Sequence, residues 1–362
     1  MFRTIVRLAS FYFCLCGLMT TASYGQLLGL YEFDGGGNGT SWSDAANWEQ
    51  KTDPFGNPIS GDPATPPNNV TSADIPLTGV VVSSAGQTAL DVNVGTAAGA
   101  GSLSISSGDL TGRDVNVGSD GTNANTGSLN ISGGTLVAGD DITISNGSVG
   151  SMTMSSGLAS TGDDFFINAG GSLVMTGGQI NVGDRLVTSG NAILNVDGGT
   201  IIADDDFFFF DDTAITVDSG LMEVADKMRF DFDSNTFSGP KLTINGGIVR
   251  TQEYHFNITT IDDFLGVTEI NGDGLLQVRQ GDGSTQSELT IRMARDLIAE
   301  GVHLITSESA PKQLGAFSVV VPSSLQGTNV VFTQISVVPE PASALLLGFG
   351  AMALVIGRKR LV

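Results

Sequence analysis

Apolar residues in the middle of the chain alternate with polar ones, and the alternation itself recurs. Leu103 and Ile105 are followed by Leu129 and Ile131, Met152 and Met154, Leu173 and Met175, Leu194 and Val196, Ile215 and Val217, and Leu242 and Ile244. The members of each pair are two residues apart, which places them on one face of a strand and not of a helix. Three positions after each pair stands the second residue of a Gly-Gly or Ser-Gly step. These anchors are Gly108, Gly134, Gly157, Gly178, Gly199, Gly220 and Gly247, at spacings of 26, 23, 21, 21, 21 and 27. Two positions beyond the anchor comes Leu110, Leu136, Ala159, Ile180, Ile201, Met222 or Val249. A third strand follows eight and ten positions on, carrying Ile142 and Ile144, Phe165 and Ile167, Leu186, Phe207 and Phe209, and Met228 and Phe230.

A fixed period of this length signals stacked repeats, and a propeller blade would need about 40 residues. The pattern therefore predicts an all-β chain: a parallel β-helix, or β-solenoid, of ~21-residue three-strand coils over residues 89–275. Such a coil buries its apolar face only against its neighbours, so the ends need covers. Residues 26–88 are expected to form an N-terminal β-rich cap region, with Trp42 and Trp48 as its apolar cover and a sugar-stacking platform as the alternative reading of the two tryptophans. The less regular residues 276–336 are expected to form a β-rich C-terminal cap, with strands near Leu304–Ile305, Phe317–Val321 and Val330–Ile335 and a short helix over Met293–Glu300. The longer spacings predict loops at Asp120–Asn125 and Asp233–Pro240.

One polar column changes this picture. Six positions after successive anchors lie Asp114, Asp140, Asp163, Asp184, Asp205 and Asp226, with Glu253 after the last. Stacked one strand spacing apart, such carboxylates repel by about 1 kcal/mol per pair even in bulk water. Two readings relieve this. Each Asp can point into solvent and bond the backbone of its own turn. Alternatively the six Asp residues form a row of Ca2+ sites, since hard cations take clustered oxygens; no nonapeptide calcium motif is present. Asp141, Asp164 and Asp206 thicken the column, and Arg113, Arg185 and Lys227 interrupt it with opposite charge.

The chain ends set the expected destination. Residues 1–25 read as a secretory signal peptide, with Arg3 and Arg7, an apolar run Leu8–Leu18, and small residues near Ser23–Gly25. That run is too short to span a bilayer. Cys14 and Cys16, the only cysteines, both lie inside it, so the mature chain has no disulfide and no thiol chemistry. Of 16 basic residues, Arg3 and Arg7 leave with the signal and Arg358, Lys359 and Arg360 sit at the C-terminus. Eleven (16 − 2 − 3) then face 38 acidic ones, a balance of −27. This excludes nucleic acid as a partner and disfavours an anionic lipid surface.

Two resemblances follow from short motifs. Trp42, Asn47 and Trp48 resemble the W-x-x-x-x-N-W start of secreted bacterial solenoid proteins with autotransporter-passenger-like repeats. Val338-Pro339-Glu340-Pro341, then the apolar run Ala342–Ile356, then Gly357-Arg358-Lys359-Arg360, resemble the PEP-CTERM sorting signal over residues 337–362. This second resemblance implies export by the general secretion machinery and transient insertion of the apolar run in the inner membrane. Arg358, Lys359 and Arg360 would be held on the cytoplasmic side, and an exosortase-like enzyme would process the chain near Pro339, Glu340 and Pro341. About fifteen helical residues reach only about 22 Å, short of a usual span. The resemblance also implies a biofilm-forming bacterium that secretes polysaccharide.

No catalytic motif is present: no nucleophile elbow, no zinc-protease helix and no phosphate loop. His255 and His303 lie far apart and read as structural. The expected function is non-enzymatic: a structural or adhesive protein of the cell envelope or extracellular matrix, associated with exopolysaccharide, with no required cofactor. The alternative is a polysaccharide lyase or glycoside hydrolase, or a carbohydrate-binding β-helix, built on the Asp163–Asp226 column with Arg185, Lys227 and Arg229. Even recurrence along the rod speaks against that enzyme, because active sites break a repeat at one place.

Overall fold

The computed structural model describes residues 29–53, 55–119, 121, 124–231, 239–251, 253–256, 268–270, 274–280, 318–320 and 331–336. Within these residues the chain is an all-β parallel solenoid of about seven turns. Two sheets run its length, one of 11 strands and one of 16. The narrow sheet stacks Gly29–Phe33, Thr71–Ile75, Asp91–Val94, Asp114–Val117, Ile142–Ile144, Phe165–Ile167, Leu186–Thr188, Phe207–Phe210, Lys227–Asp231 and Glu253–Phe256 in parallel. Neighbouring coils keep the 21-residue step, as in Leu173 opposite Leu194 and Leu194 opposite Ile215.

The three strands of each coil are present, but the first two often fuse. Gly127–Ala138, Gly150–Thr161, Ile193–Ala203 and Ala214–Val224 each run through the anchor glycine as one bent strand. A register shift marks the bend between Val196 and Thr200. The anchor explains why. Gly134, Gly157, Gly178, Gly199 and Gly220 all have positive φ, and a Cβ on Gly199 would meet Gly178 O at 2.6 Å. Only glycine combines that conformation with so close a backbone approach, and this is the physical origin of the repeat seen in the sequence.

The core is a set of columns running from coil to coil. Val92, Val115, Ile142, Phe165, Leu186, Phe207 and Met228 form one, and Val94, Val117, Ile144, Ile167, Thr188, Phe209 and Phe230 the next. All are fully buried. Each large apolar side chain so placed contributes about 1.5–3 kcal/mol. Thr188 alone in its column is polar, and its buried hydroxyl has no hydrogen-bond partner.

Parallel stacking begins well before residue 89. Thr71–Ile75 pairs with Asp91–Val94, and Gly29–Phe33 pairs with Thr71–Ile75. The period is hidden there because the chain inserts a knot and a hairpin between the two strands. In the knot, buried Asn47 accepts from the N–H groups of Gly37 and Gly39, at 2.9 Å each, and donates to Asn38 Oδ1 and Ser41 O. Trp48 Nε1 donates to Trp42 O, the two rings meet edge-on at 4.9 Å, and Phe33 meets Trp48 edge-on at 5.1 Å. Both tryptophans are 0 % exposed, so they cover the core and present no stacking platform.

At the other end Leu275–Gln280 still pairs in parallel with Ile248–Thr251, five residues beyond the expected solenoid boundary. It then pairs antiparallel with Val331–Ser336, which pairs with Ser318–Val320. That change of direction ends the parallel stack on the broad sheet. The expected helix at Met293–Glu300, the strand at Leu304–Ile305, His303 and most of the loop at 233–240 lie outside the described residues.

Candidate functional site

The turn that leads into the narrow sheet gathers the acidic residues, and it holds two columns where the sequence suggested one. In the outer column the backbone ladder links Asp140, Asp163, Asp184, Asp205 and Asp226. Each N–H donates to the previous Asp carbonyl at 2.9–3.1 Å. Below Asp140 the ladder reaches Arg113, not Asp114, since Asp140 N–H donates to Arg113 O at 2.8 Å. Asp114 belongs to the inner column, between Asp91 and Asp141, and is followed by Asp164, Arg185, Asp206, Lys227 and Glu253. The shift arises because Gly112 opposes Ala138 while Val115 opposes Ile142. One extra residue enters the later coil at that turn, and counting from the anchor glycine cannot detect it.

Part of the repulsion expected along the column is relieved by hydrogen bonds that cross from coil to coil. Inner carboxylates reach forward, not into their own turn. Asp141 Oδ1 accepts the Asp164 N–H at 3.0 Å, Asp164 Oδ1 the Arg185 N–H at 3.1 Å, and Asp206 Oδ1 the Lys227 N–H at 2.8 Å. Each therefore satisfies a donor of the next coil. Built-in cations then compensate charge at intervals. Arg113 bridges Asp91 and Asp114 at 2.8 and 2.9 Å. Arg185 grips buried Asp164 through Nε and Nη2 and lies 3.4 Å from Asp184. Lys227 Nζ sits 2.8 Å from Asp226.

Three groups have carboxylate oxygens within 4.8 Å of one another: Asp140, Asp141 and Asp163; Asp163, Asp164 and Asp184; and Asp205, Asp206 and Asp226. Arg185 serves the second and Lys227 the third. Among the described residues no Lys or Arg pairs with the first. Its oxygen-only donor set is of the kind hard cations take. Burial pushes the carboxyls of Asp141, Asp184 and Asp206 up from the ordinary value; bonded N–H groups or cations oppose this, and neighbouring carboxylates add to it. Burial likewise raises Asp74 and Asp91, against the Asn93 amide and Arg113 respectively.

Beside the inner column, on the outward side of the narrow sheet, runs a row that the sequence reading passed over. Thr143, Phe166, Val187, Phe208 and Arg229 oppose one another across successive coils. Phe166, Val187 and Phe208 are half-buried, and Phe208 and Phe210 lie 6.1 Å apart with rings 25° from parallel. The Arg229 guanidinium stands 5.8 Å from the Phe208 ring centre. The signal was the run Phe207–Phe210. A half-buried strand alternates apolar and polar, so four consecutive Phe put two of them on the wrong face.

His255 lies on the Glu253–Phe256 strand, and the sorting residues Pro339, Glu340, Pro341, Arg358, Lys359 and Arg360 lie outside the described residues. Comparison with known families decides that end of the chain. Residues 337–360 match the PEP-CTERM protein-sorting motif. The PEP-CTERM motif marks an exported protein with a C-terminal sorting signal and implies recognition by an exosortase-like enzyme. No curated protein and no solved structure matches the chain. Among the described residues no helix is long and apolar enough to cross a membrane, and the apolar run preceding Arg358 is not among them.

Proposed function

We propose that the protein is a non-enzymatic structural or adhesive rod, delivered through its PEP-CTERM motif to the cell envelope or extracellular matrix and associated there with exopolysaccharide. The observation that supports this is the even recurrence of the carboxylates. A pair of acidic columns runs from coil to coil through the described residues, with Arg113, Arg185 and Lys227 entering it at intervals. The reading requires no cofactor; the Asp140, Asp141 and Asp163 group is where Ca2+ would add stability.

The test incubates the full chain with acidic and neutral polysaccharides, with calcium and with chelator. Ultraviolet absorbance and reducing ends are followed, and the polymer is then pelleted. The expected outcome is co-sedimentation with no new product. Unsaturated products or released reducing ends would establish the polysaccharide lyase or hydrolase alternative. Replacing Pro339, Glu340 and Pro341 by Ala is expected to retain the protein at the inner membrane; release to the surface regardless would sink the sorting step.

A further inference from the structure

We propose that the outward stripe Phe166–Val187–Phe208, with Phe210 and the adjoining carboxylate columns, binds an extended polysaccharide whose sugars carry free ammonium groups, laid along the rod axis. This rests on the matrix reading above and names its ligand chemistry.

The stripe has no evident task in the fold. The inward columns already fill the core, and outward positions of a half-solvated sheet normally carry polar residues. The first coils obey that rule: at the equivalent row Asn93 donates to Asp74 at 2.8 Å and Asn116 to Asn93 at 3.1 Å, each amide satisfied by its neighbour. From Phe166 to Phe208 the same row is apolar.

Its shape points to a linear partner. Phe166, Val187 and Phe208 are in register, so the two phenyl groups stand two strand spacings apart, about 10 Å, along the axis. The strands that carry them are paired on both sides, so a peptide could not add as a further strand and its backbone groups would go unpaired. Sugar hydroxyls and ammonium groups are satisfied by carboxylates and water, while ring faces take apolar C–H surface and cations.

Charge selects among sugars. The chain carries a net −22, and Asp163, Asp184 and Asp205 lie along the same flank. An anionic polymer is repelled there and a cationic one concentrated. The rod's own cations show what this face accepts: Arg229 sits over the Phe208 ring, and Arg185 occupies a place in the inner column.

The test measures binding of the full chain to glucosamine oligomers, to the same oligomers N-acetylated, to a neutral glucan oligomer and to oligolysine, by calorimetry at low and moderate salt. The expected result is binding of the glucosamine oligomers. N-acetylation, or the double change Phe166→Ala with Phe208→Ala, should weaken it by roughly tenfold or more at an unchanged melting temperature. Because N-acetylation alters only the ligand, the comparison stands even if the double variant folds poorly. Equal binding of oligolysine, untouched by the Phe changes, would show a plain polyanion and overturn the proposal. Binding of neutral glucan as strong as that of glucosamine oligomers would overturn the ammonium selection and leave matrix association standing. Binding of none would overturn the proposal, and the pelleting assay with native polysaccharide would judge the matrix reading separately.

Discussion

The same outward row of the narrow sheet is built twice. In the first coils it is Asp74, Asn93 and Asn116, side chains bonded to one another and, through Asn146, onward to the next turn. In later coils it is Phe166, Val187 and Phe208, half-buried. The backbone beneath is the same parallel ladder throughout. The difference teaches that stacking and the inward columns suffice to hold a coil, and that the outward row is free to differ. Where it carries amides, it adds bonds between coils. Where it carries phenyls, it offers a surface.

The largest effect should come from the end of the amide-bearing half, where side chains rather than repetition hold the chain. Asn47→Ala removes one oxygen that accepts two N–H groups, and two donated bonds, from a fully buried site, at about 3–5 kcal/mol. Because each coil rests on its neighbours, the loss should spread from that end. Hydrogen exchange is expected to lose protection first in Thr71–Ile75 and Asp91–Val94, and last in Leu186–Thr188. Uniform loss along the rod would contradict the distinction between its ends and its interior.

In the phenyl-bearing half the equivalent weak points are single side chains. Arg185→Ala strips the cation from Asp164, which is only 3 % exposed and keeps just one N–H donor from that coil. The cost should be about 2 kcal/mol, less than for a fully buried pair because Arg185 itself is largely solvated. Thr188→Val acts in the opposite direction. It replaces a buried hydroxyl without a partner by a methyl in a column of Ile167, Phe209 and Phe230, and should stabilise by about 1–2 kcal/mol. Thermal or urea melts report both, and a destabilising Thr188→Val would mean that the hydroxyl is satisfied in solution.

How much of this was legible follows from what a linear sequence can display. The solenoid was legible because the inward pairs and the anchor glycines are both fixed by local geometry: period 2 for one, positive φ with close approach for the other. Trp42 and Trp48 were legible as a cover because large aromatics outside the repeat must be buried somewhere. The start of the stacking was not, since the knot around Asn47 and the hairpin that follows interrupt the period. The carboxylate column was half legible. Five of its Asp residues share a ladder, but Asp114 and Glu253 fall in the neighbouring column because register depends on one-residue insertions at turns. The Phe stripe was written openly in Phe207–Phe210, but alternation was read there for what points in and not for what points out.

Comparing the two versions of the outward row directly should give smaller changes. Asn116→Leu leaves the Asn93 oxygen and the Asn146 amide without partners, at about 1 kcal/mol, since water can reach both. Phe166→Thr puts a good strand former between Thr143 and Val187 and should cost no more than about 0.5 kcal/mol. If the Phe change proved the more costly in melts, the stripe would be structural and its availability for a ligand would fall away.

The gentlest perturbation is pH, and it separates the carboxylates that fold raises from the rest. Asp74, Asp91, Asp141, Asp184 and Asp206 all sit above the ordinary carboxylate value of 3.8, mainly through burial. A carboxyl raised in the folded state binds its proton more tightly there than in the unfolded chain. Its contribution is therefore complete below the unfolded value and is lost as pH rises through the folded one. The melting temperature should climb as pH falls from 7 toward the region just above 4, opposite to the usual acid sensitivity of paired carboxylates. Asp53, lowered by its bonds to Asn57, has the contrary sign, but acts only below 3.8 and at an exposed hairpin. Asp141→Asn should flatten the rise, because the amide oxygen can still accept the Asp164 N–H while the charge is gone. Asp74→Asn in the amide row should flatten it as well, since burial raises that carboxyl too. A rise unchanged by either substitution would mean that these carboxyls do not set it.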